Sequence, residues 1–407
     1  MQFIDGGVTA AKGFQASCAA AGIKYQGRTD MAMVYSQFPC RAAGTFTTNI
    51  VKAAPVKWDR DIVRSGKGAQ AIVCNSGIAN ACTGVKGLDC CEATAAAAAG
   101  ALGLEPEQVL VASTGVIGMQ LNMDRVEEGI ARLAPALSGS RQAARQAAQA
   151  IMTTDTHPKE AAVEFEAGGK KAVIGGMCKG SGMIHPNMCT MLCFLTTDLN
   201  ISSELLQEAL SADIQDSFNM VSVDGDTSTN DTVLLLANGQ AGNAEITEKG
   251  ADYEAFAQAL HMVTVSLCRM IAGDGEGATA LFEVKIAGAE SVPQAKAIAK
   301  SVVTSNLVKT AIAGHDANWG RILCAMGYSG EVFDPEKVDL WFESEAGKIQ
   351  IMQAGIAADY SEEEATKILS APEISAIADL HQGTASATAW GCDLTHGYIT
   401  INADYRS

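Results

Sequence analysis

The sequence predicts an α/β fold built as an α+β layered sandwich, and three observations predict it. Apolar residues recur at helical spacing in some segments and form short continuous runs, typical of buried strands, in others. These two patterns alternate along the chain without a regular βαβ repeat, which disfavours a doubly wound parallel sheet. The length of 407 residues is too great for one small domain and indicates two or three folding units.

Two helices and two strands are predicted in the first half of the chain. The first helix begins near Asp124, which is followed three residues later by a glutamate in a capping-box spacing, and it ends before Pro135. The second helix is predicted over residues 140–152. Residues 171–174 and 191–195 are short apolar runs beside Gly or Pro, so both are predicted as buried strands.

The second half continues the alternation. Apolar residues recur every three or four positions from Phe256 to Met270, which predicts a helix that ends at the Gly-rich turn 273–277. Another helix is predicted after Ser361, again with a glutamate three residues later. Residues 398–402 are predicted as a closing strand.

Composition excludes several classes of function. Lys and Arg number 29 against 46 Asp and Glu, and the net charge of -17 repels nucleic acid and anionic membranes. We find no apolar run of about 18 residues and no basic flank typical of a secretory signal, so we expect a cytoplasmic protein. The twelve cysteines follow no metal-ligand spacing, which favours reduced, mostly buried thiols and no bound metal.

The segment 179–195, KGSGMIHPNMCTMLCFL, sets turn-forming residues directly against an apolar strand. Its glycines and Pro186 can hold the chain in an unusual backbone path, with Thr190 at the start of a rigid strand. A hydroxyl held against the preceding carbonyl carbon can attack it, shift the acyl group from nitrogen to oxygen, and leave an ester that water hydrolyses. The new terminal amine, with an ordinary pKa of about 7.7 to 8.0, can then act as base for its own hydroxyl.

This segment resembles the self-processing motif of the bacterial ornithine acetyltransferases. Four further blocks resemble the same family: FTTNIVKAAPV (46–56), NSGIANACTG (75–84), VDGDTSTNDTV (223–233) and LVKTAIAGHDANWGRILCAMGYSG (307–330). The resemblance covers nearly the whole chain and implies a self-cleaved enzyme with an N-terminal nucleophile. It also implies cleavage between Cys189 and Thr190, an alpha chain of residues 1–189, and a beta chain divided into 190–280 and a carboxy-terminal domain, 281–407.

The same resemblance implies roles for particular residues. Thr190 is the nucleophile, and in the block VASTGVIG the hydroxyl of Thr114 and the N–H of Gly115 face the developing oxyanion. Substrate contacts are implied at Thr153, Lys179, Thr190, Glu276, Asn402 and Ser407. A lysine suits a substrate carboxylate and a glutamate suits a substrate ammonium, and an α-amino acid with a charged side chain needs both.

The implied reaction is a ping-pong transfer in arginine biosynthesis. Thr190 takes acetyl from N-acetylornithine, ornithine leaves, and glutamate collects the acetyl group to give N-acetylglutamate. No cofactor is implied. Some relatives also accept acetyl-CoA as acetyl donor, and the residues do not decide whether this chain uses N-acetylornithine alone or both donors. The implied assembly is a heterotetramer of two alpha and two beta chains, without nucleic acid or membrane partners.

Some residue assignments have alternatives. Cys189 stands where the family commonly has alanine, so Cys189 or Cys193 is a rival reactive group. Thr154 could replace Thr153 as the substrate contact. Ser407 stands where relatives usually end in threonine, which keeps the hydroxyl and the carboxylate.

Two other functions also fit the residues. A self-cleaving aminopeptidase would share the threonine and its amine but pass the acyl group to water. An uncleaved amino-acid-binding protein would use Lys179 and Glu276 as its recognition charges and would remain a single chain.

Overall fold

In the computed structural model, which describes residues 1–185 and 191–404, the strands form three sheets that alternate with layers of helices. The strands are β1 (Gln2–Ile4), β2 (Phe14–Ala19), β3 (Met31–Ser36), β4 (Arg41–Phe46), β5 (Ala71–Ile78), β6 (Val109–Val116), β7 (Lys159–Ala167), β8 (Lys170–Lys179), β9 (Leu192–Thr197), β10 (Val221–Ser222), β11 (Thr232–Ala237), β12 (Leu281–Ala289), β13 (Asp339–Ser344), β14 (Gly347–Gln353), β15 (Ile356–Ala357), β16 (Glu373–Asp379) and β17 (Ala385–Cys392). The helices are α1 (Ala54–Ser65), α2 (Gly84–Leu102), α3 (Met123–Leu133), α4 (Arg141–Ala150), α5 (Ser203–Asp213), α6 (Ala251–Gly273), α7 (Val292–Thr304), α8 (Asn306–Ala313), α9 (Trp319–Gly327), α10 (Glu362–Leu369) and α11 (His396–Asp404). This mixed architecture confirms the predicted α/β fold class.

The six-stranded sheet has the order β1-β7-β8-β9-β11-β4. Strands β9 and β11 run parallel to each other, and each is antiparallel to its outer neighbour, β8 or β4. Every residue of β9 and β11 is buried, as expected for strands covered on both faces. Strands β9 and β11 are therefore enclosed by β8 and β4, which both precede them in the chain.

The four-stranded sheet has the order β2-β3-β5-β6. Helices α1 and α4 fill the space between it and the six-stranded sheet, while α2 and α3 cover its other face. Helix α4 presents a face of small side chains, with Ala144, Ala147 and Ala148 all fully buried. These alanines allow the two sheets to approach the helix closely.

The seven-stranded sheet has the order β10-β17-β12-β16-β13-β14-β15 and is covered by α7. Helix α6 packs against both this sheet and the six-stranded one, and its residues Phe256, Leu260 and Leu267 are fully buried. By length and composition α6 could cross a bilayer, but half of its apolar window is buried inside the protein, as in an ordinary core helix. The predicted helix through Phe256 and Met270 is confirmed.

Apart from the segment 398–402, the other predicted helices and strands agree with the structure, with one difference in a helix cap. Helix α4 begins after Ser140, whose side chain accepts a hydrogen bond from Ala143, and α10 is capped in the same way by Ser361. Strands β8 and β9 lie where buried strands are predicted. Helix α3 ends at Leu133 as predicted, but its cap is Asn122 and not Asp124, which lies in the first turn.

The predicted closing strand over residues 398–402 is wrong, because these residues belong to α11. The β-branched residues of the segment favour a strand locally, but tertiary contacts override that preference. Thr395 precedes the helix, where its hydroxyl oxygen accepts a hydrogen bond from Gly397 N–H and donates one to the carbonyl of Gly277. The division of the chain at residues 189/190 and 280/281 stays a prediction.

Candidate active site

Thr114 and Gly115 lie near the carboxyl end of strand β6. Gly115 has a φ of +129°, and a Cβ added there would lie 2.3 Å from the carbonyl carbon of Gly77 on β5. The main chain can follow this path only without a side chain. The structure therefore explains why glycine stands at one of the two predicted oxyanion positions.

A polar network ties the end of β6 to the residues before β11. The side-chain amide of Asn230 donates to the carbonyl of Ser113 at 2.8 Å and to that of Ala79 at 2.6 Å. The Ser113 hydroxyl in turn donates to Asn75 Oδ1 at 2.7 Å. Thr114 follows Ser113 directly, so these hydrogen bonds set where its side chain is presented.

The start of β9 lies beside this network. The carbonyl of Met191 accepts a hydrogen bond from Thr232 N–H at 2.9 Å, and Leu192 pairs with both Thr232 and Lys179. The chain at Met191 thus runs between β8 and β11. The predicted nucleophile Thr190, the predicted cleavage partner Cys189 and the predicted substrate contact Ser407 all lie outside the described residues.

A cavity of about 30 Å³ lies at this junction, which is enough space for a water molecule or a small chemical group. It is lined by Thr114, Lys179, Gly182, Met183, Ile184, Met191, Leu192, Ser228, Asn230 and Asp231. Two predicted site residues, Thr114 and Lys179, thus share one cavity with the residue that follows Thr190 in the chain.

Lys179 begins a buried chain of alternating charges. Its Nζ lies 4.0 Å from Asp155 Oδ2, and Asp155 Oδ1 accepts from Lys159 Nζ at 2.8 Å. Lys159 Nζ also lies 2.5 Å from Asp274 Oδ2, and its side chain is fully buried.

This charge chain keeps Asp155 ionised. Burial by itself raises the pKa of Asp155, but the ammonium groups of Lys179 and Lys159 outweigh burial and hold that pKa below its usual value. The Asp155 carboxylate therefore stays negative and attracts the ammonium group of Lys179 at the wall of the cavity.

The Gly-rich turn after α6 brings Glu276 to the same region. Its N–H donates to the carbonyl of Ser181 at 3.0 Å, and its carboxylate packs directly against Gly182, where an added Cβ would lie 2.3 to 2.4 Å from the carboxylate atoms. Asn402 Nδ2 donates to Glu276 Oε2 at 2.7 Å. Since Gly182 lines the cavity, Glu276 and Asn402 stand together behind its wall.

Thr153 reaches this region through its backbone. Its N–H donates to Asp155 Oδ2 at 3.0 Å, and its carbonyl accepts from Arg28 at 3.2 Å. Asp155 is also the partner of Lys179, so Thr153 lies near the charge chain. Thr153 and Thr154 are both half-buried, and the choice between them stays a prediction.

The segment that leads to the predicted cleavage bond is held by the loop before β11. The carboxylate of Asp224 accepts from Met183 N–H at 2.6 Å and from Ile184 N–H at 2.9 Å. The hydroxyl of Thr227 donates to the carbonyl of His185 at 2.8 Å. Met183 has a φ of +56°, an uncommon value for a residue with a side chain, so the chain enters this region along an unusual path.

Cys193, one of the two rival thiols, is fully buried in β9 and does not line the cavity among the described residues. A thiol in such surroundings lacks the access that a nucleophile needs. The structure therefore argues against Cys193 as the reactive group.

Sequence reasoning missed several residues that organise the region. Asp155 and Lys159 form the centre of the charge chain, and Asn230 and Asp231 line the cavity. Asn230 and Asp231 stand in the block VDGDTSTNDTV, which resembles the family although no role was assigned to any of its residues. That resemblance was the signal that could have identified them. Lys159 gives no such signal, because a lysine in a strand is normally exposed.

Comparison with known proteins identifies one family. The model of the ArgJ family matches residues 15–407. The arginine biosynthesis bifunctional protein ArgJ of Symbiobacterium thermophilum is 53% identical over 409 residues, and the match covers 100% of both chains. ArgJ 1 of Clostridium acetobutylicum is 52% identical, covering 97% of this chain and 96% of that protein. A solved structure of argJ from Bacillus halodurans is 46% identical with a TM-score of 0.51, and covers 53% of this chain and 100% of the solved one.

Proposed function

Because the chain belongs to the ArgJ family, we propose that it is an acetyltransferase of arginine biosynthesis that moves acetyl from N2-acetyl-L-ornithine to L-glutamate through an ester on Thr190. One observation carries this proposal: Thr114, Lys179 and Met191, the residue after Thr190, share one cavity. An acyl-transfer site needs a nucleophile, oxyanion donors and substrate-binding charges within reach of one another.

The first step is self-cleavage. The hydroxyl of Thr190 attacks the carbonyl carbon of Cys189, the acyl group moves from nitrogen to oxygen, and water hydrolyses the resulting ester. The hydrogen bonds from Met183 and Ile184 to Asp224 support this step, because they restrain the approach to the scissile bond. Two chains result, residues 1–189 and residues 190–407.

In the transfer reaction the α-amine of Thr190 takes the proton of its own hydroxyl, which attacks the acetyl carbonyl of N-acetylornithine. The Thr114 hydroxyl and the Gly115 N–H donate to the oxyanion, and one such preorganised donor is worth about 3 to 4 kcal/mol in comparable sites. Ornithine takes the proton and leaves. The amine of glutamate then attacks the acetyl ester, which returns Thr190 to its free form.

Substrate recognition uses both signs of charge. Lys179 binds the carboxylate of the amino acid, while Glu276, supported by Asn402, binds the ammonium group at the end of the ornithine side chain. The buried Asp155 keeps Lys179 in place. Thr153 and Ser407 complete the proposed contacts.

The interleaved sheet supports a stable two-chain product. Strands β9 and β11 would belong to the second chain, yet they lie between β8 and β4 of the first. The hydrogen bonds of these strands would hold the two pieces together without a covalent link. The solved chain from Bacillus halodurans covers 53% of this chain, which is close to the share that residues 190–407 represent.

Several finer features belong to the same proposal. The mature protein is a heterotetramer of two chains of each kind and works in the cytoplasm. Its relatives are named bifunctional, which supports acetyl-CoA as a second acetyl donor for making N-acetylglutamate. A native mass measurement and an assay with acetyl-CoA test the assembly and the second donor.

The proposal is tested first by the mass of the purified protein under denaturing conditions. We expect two pieces, the second beginning at Thr190, and a single intact chain for Thr190→Ala, because no hydroxyl remains to attack. Acetyl transfer from N-acetylornithine should then be followed with and without glutamate. Transfer to water alone would indicate an aminopeptidase, and an uncleaved wild-type chain that binds amino acids without transfer would indicate a binding protein.

A further inference from the structure

We propose that Asp231 is the proton-transfer residue of self-cleavage: its carboxyl group accepts the proton of the Thr190 hydroxyl and donates its own to the departing amide nitrogen. This inference rests on the proposed function, since it assumes that the chain cuts itself before Thr190. In the self-cleavage described above, Thr190 is the only side chain that reacts. The inference adds Asp231 and a path for the proton.

The position of Asp231 carries the inference. Asp231 lines the same cavity as Thr114 and Met191. The next residue, Thr232, pairs with Leu192 in a parallel register and donates its N–H to the carbonyl of Met191. Asp231 and Met191 are the residues immediately before this pair, at the start of adjacent strands that lie about 4.8 Å apart.

The side chain of Asp231 is buried and incompletely hydrogen-bonded. The residue is 1% exposed, and among the described residues its Oδ2 has no hydrogen-bond partner. The polar side chains of Thr47 and Ser228 lie beside its carboxyl group. A buried polar atom without a partner is rare in native proteins, and such an atom at a cavity points to a group that it serves during a reaction.

Its protonation state suits the role. Burial raises the pKa of Asp231 well above the usual value, although the polar side chains of Thr47 and Ser228 and the nearby charge of Lys179 act to lower it. This shift favours the neutral form of the carboxyl group. Only the neutral form offers an O–H donor and an acceptor oxygen at once, which is what a two-way proton transfer needs.

The chemistry balances without any further reagent. The Thr190 oxygen forms a bond to the carbonyl carbon of Cys189, the carbon–nitrogen bond breaks, and one proton must travel from that oxygen to the nitrogen. Asp231 donates its proton to the nitrogen and takes the hydroxyl proton on its other oxygen, so it ends neutral again. One water molecule then hydrolyses the ester to the Cys189 carboxylic acid and the free Thr190 hydroxyl.

Asp59 provides a matched control within the same chain. It is fully buried, its Oδ1 accepts from Val111 N–H at 2.8 Å, and its Oδ2 has no partner among the described residues. Burial also raises its pKa well above the usual value. Among the described residues, Asp59 does not line the cavity. It therefore matches Asp231 in burial, in its unpartnered oxygen and in its raised pKa, but lies away from the proposed cleavage site.

The experiment compares the wild-type chain with Asp231→Asn and Asp59→Asn after cell-free synthesis, following the intact chain on a denaturing gel over time. Asparagine keeps the shape and the hydrogen-bonding capacity of a neutral carboxyl group but cannot exchange protons through oxygen. We expect Asp231→Asn to be cut about 10²- to 10⁴-fold more slowly, the usual size of acid–base catalysis, and Asp59→Asn to be cut at the wild-type rate.

Two further measurements keep the test decisive. Circular dichroism establishes that the variants fold, and Asp231→Glu, which restores a carboxyl group, should be cut faster than Asp231→Asn. Hydroxylamine cleaves esters, so it should not rescue Asp231→Asn if the acyl shift itself is blocked.

Three results would overturn the inference: Asp231→Asn cut at the wild-type rate, Asp59→Asn slowed equally, or rescue of Asp231→Asn by hydroxylamine. A wild-type chain that stays intact would instead overturn the proposed function, and the inference would fall with it.

Discussion

Replacing Glu276 with glutamine removes one negative charge from the turn behind the cavity and leaves the shape of the side chain unchanged. The substitution should disturb few contacts of the side chain. Glutamine also offers an oxygen that can accept the 2.7 Å hydrogen bond from Asn402, and it fits the same close contact with Gly182. The expected loss is therefore confined to the attraction between the carboxylate and the side-chain ammonium of ornithine.

The size of that loss follows from the environment of the carboxylate. Glu276 is half-buried, so water screens its charge only in part. A hydrogen bond to a charged group in such a setting contributes about 1.5 to 3 kcal/mol. With each 1.4 kcal/mol equal to about ten-fold in rate, kcat/KM for N-acetylornithine should fall by about ten-fold to more than a hundred-fold.

The assay measures the two halves of the ping-pong reaction separately. Because glutamate carries a carboxylate where ornithine carries an ammonium group, kcat/KM for glutamate should fall much less. Self-cleavage should proceed normally, since no substrate takes part in it. Glu248→Gln is a suitable control, because it removes one charge from an exposed loop residue. Full activity of Glu276→Gln toward N-acetylornithine would show that the residue is an ordinary solvated turn residue and that the charge-pairing argument is wrong.

Two other predictions follow from the same geometry. Thr114→Ala should lower kcat by about 10²- to 10³-fold with little change in KM, because an oxyanion donor acts mainly in the transition state; a raised KM with unchanged kcat would contradict this role. Asp59→Asn should stabilise the protein increasingly as pH rises above the unfolded-state pKa of about 3.9, measured by urea unfolding in an uncut Thr190→Ala background. The folded-state pKa of Asp59 is raised by burial, so the wild-type chain is stable below the unfolded pKa of about 3.9 and loses up to about 1.4 kcal/mol per pH unit above it, a loss that asparagine does not share. Equal pH dependence of the two chains would refute the raised pKa of Asp59.

The sequence predicted those helices and strands whose conformation is determined by their own residues. The apolar residues from Phe256 to Met270 define one face of α6, and the caps at Ser140 and Ser361 are each set by a single side chain. The segment 398–402 misled the prediction because its β-branched residues favour a strand. Its helix is fixed from outside, where Asn402 bonds to Glu276, more than a hundred residues earlier in the chain.

The candidate site shows the same division. Motifs pointed to Thr114, Lys179, Glu276 and Asn402, and the structure gathers these four residues in one region. The buried charge chain could not be predicted, because Lys159 and Asp274 are far apart in sequence and each has an ordinary surface residue type. Only the fold brings such a pair together.

The interleaving of the six-stranded sheet changes the reaction order of folding. Before the proposed cut, β8 and β9 are joined by a short connection, and forming their pairing is a unimolecular event with a small loop-closure cost. After the cut, the same pairing requires two separate chains to meet, so refolding of the mature protein becomes second order and its yield depends on concentration. The connection would thus be required to assemble the sheet but not to maintain it, and a denatured mature enzyme would lack the intramolecular route by which it first formed.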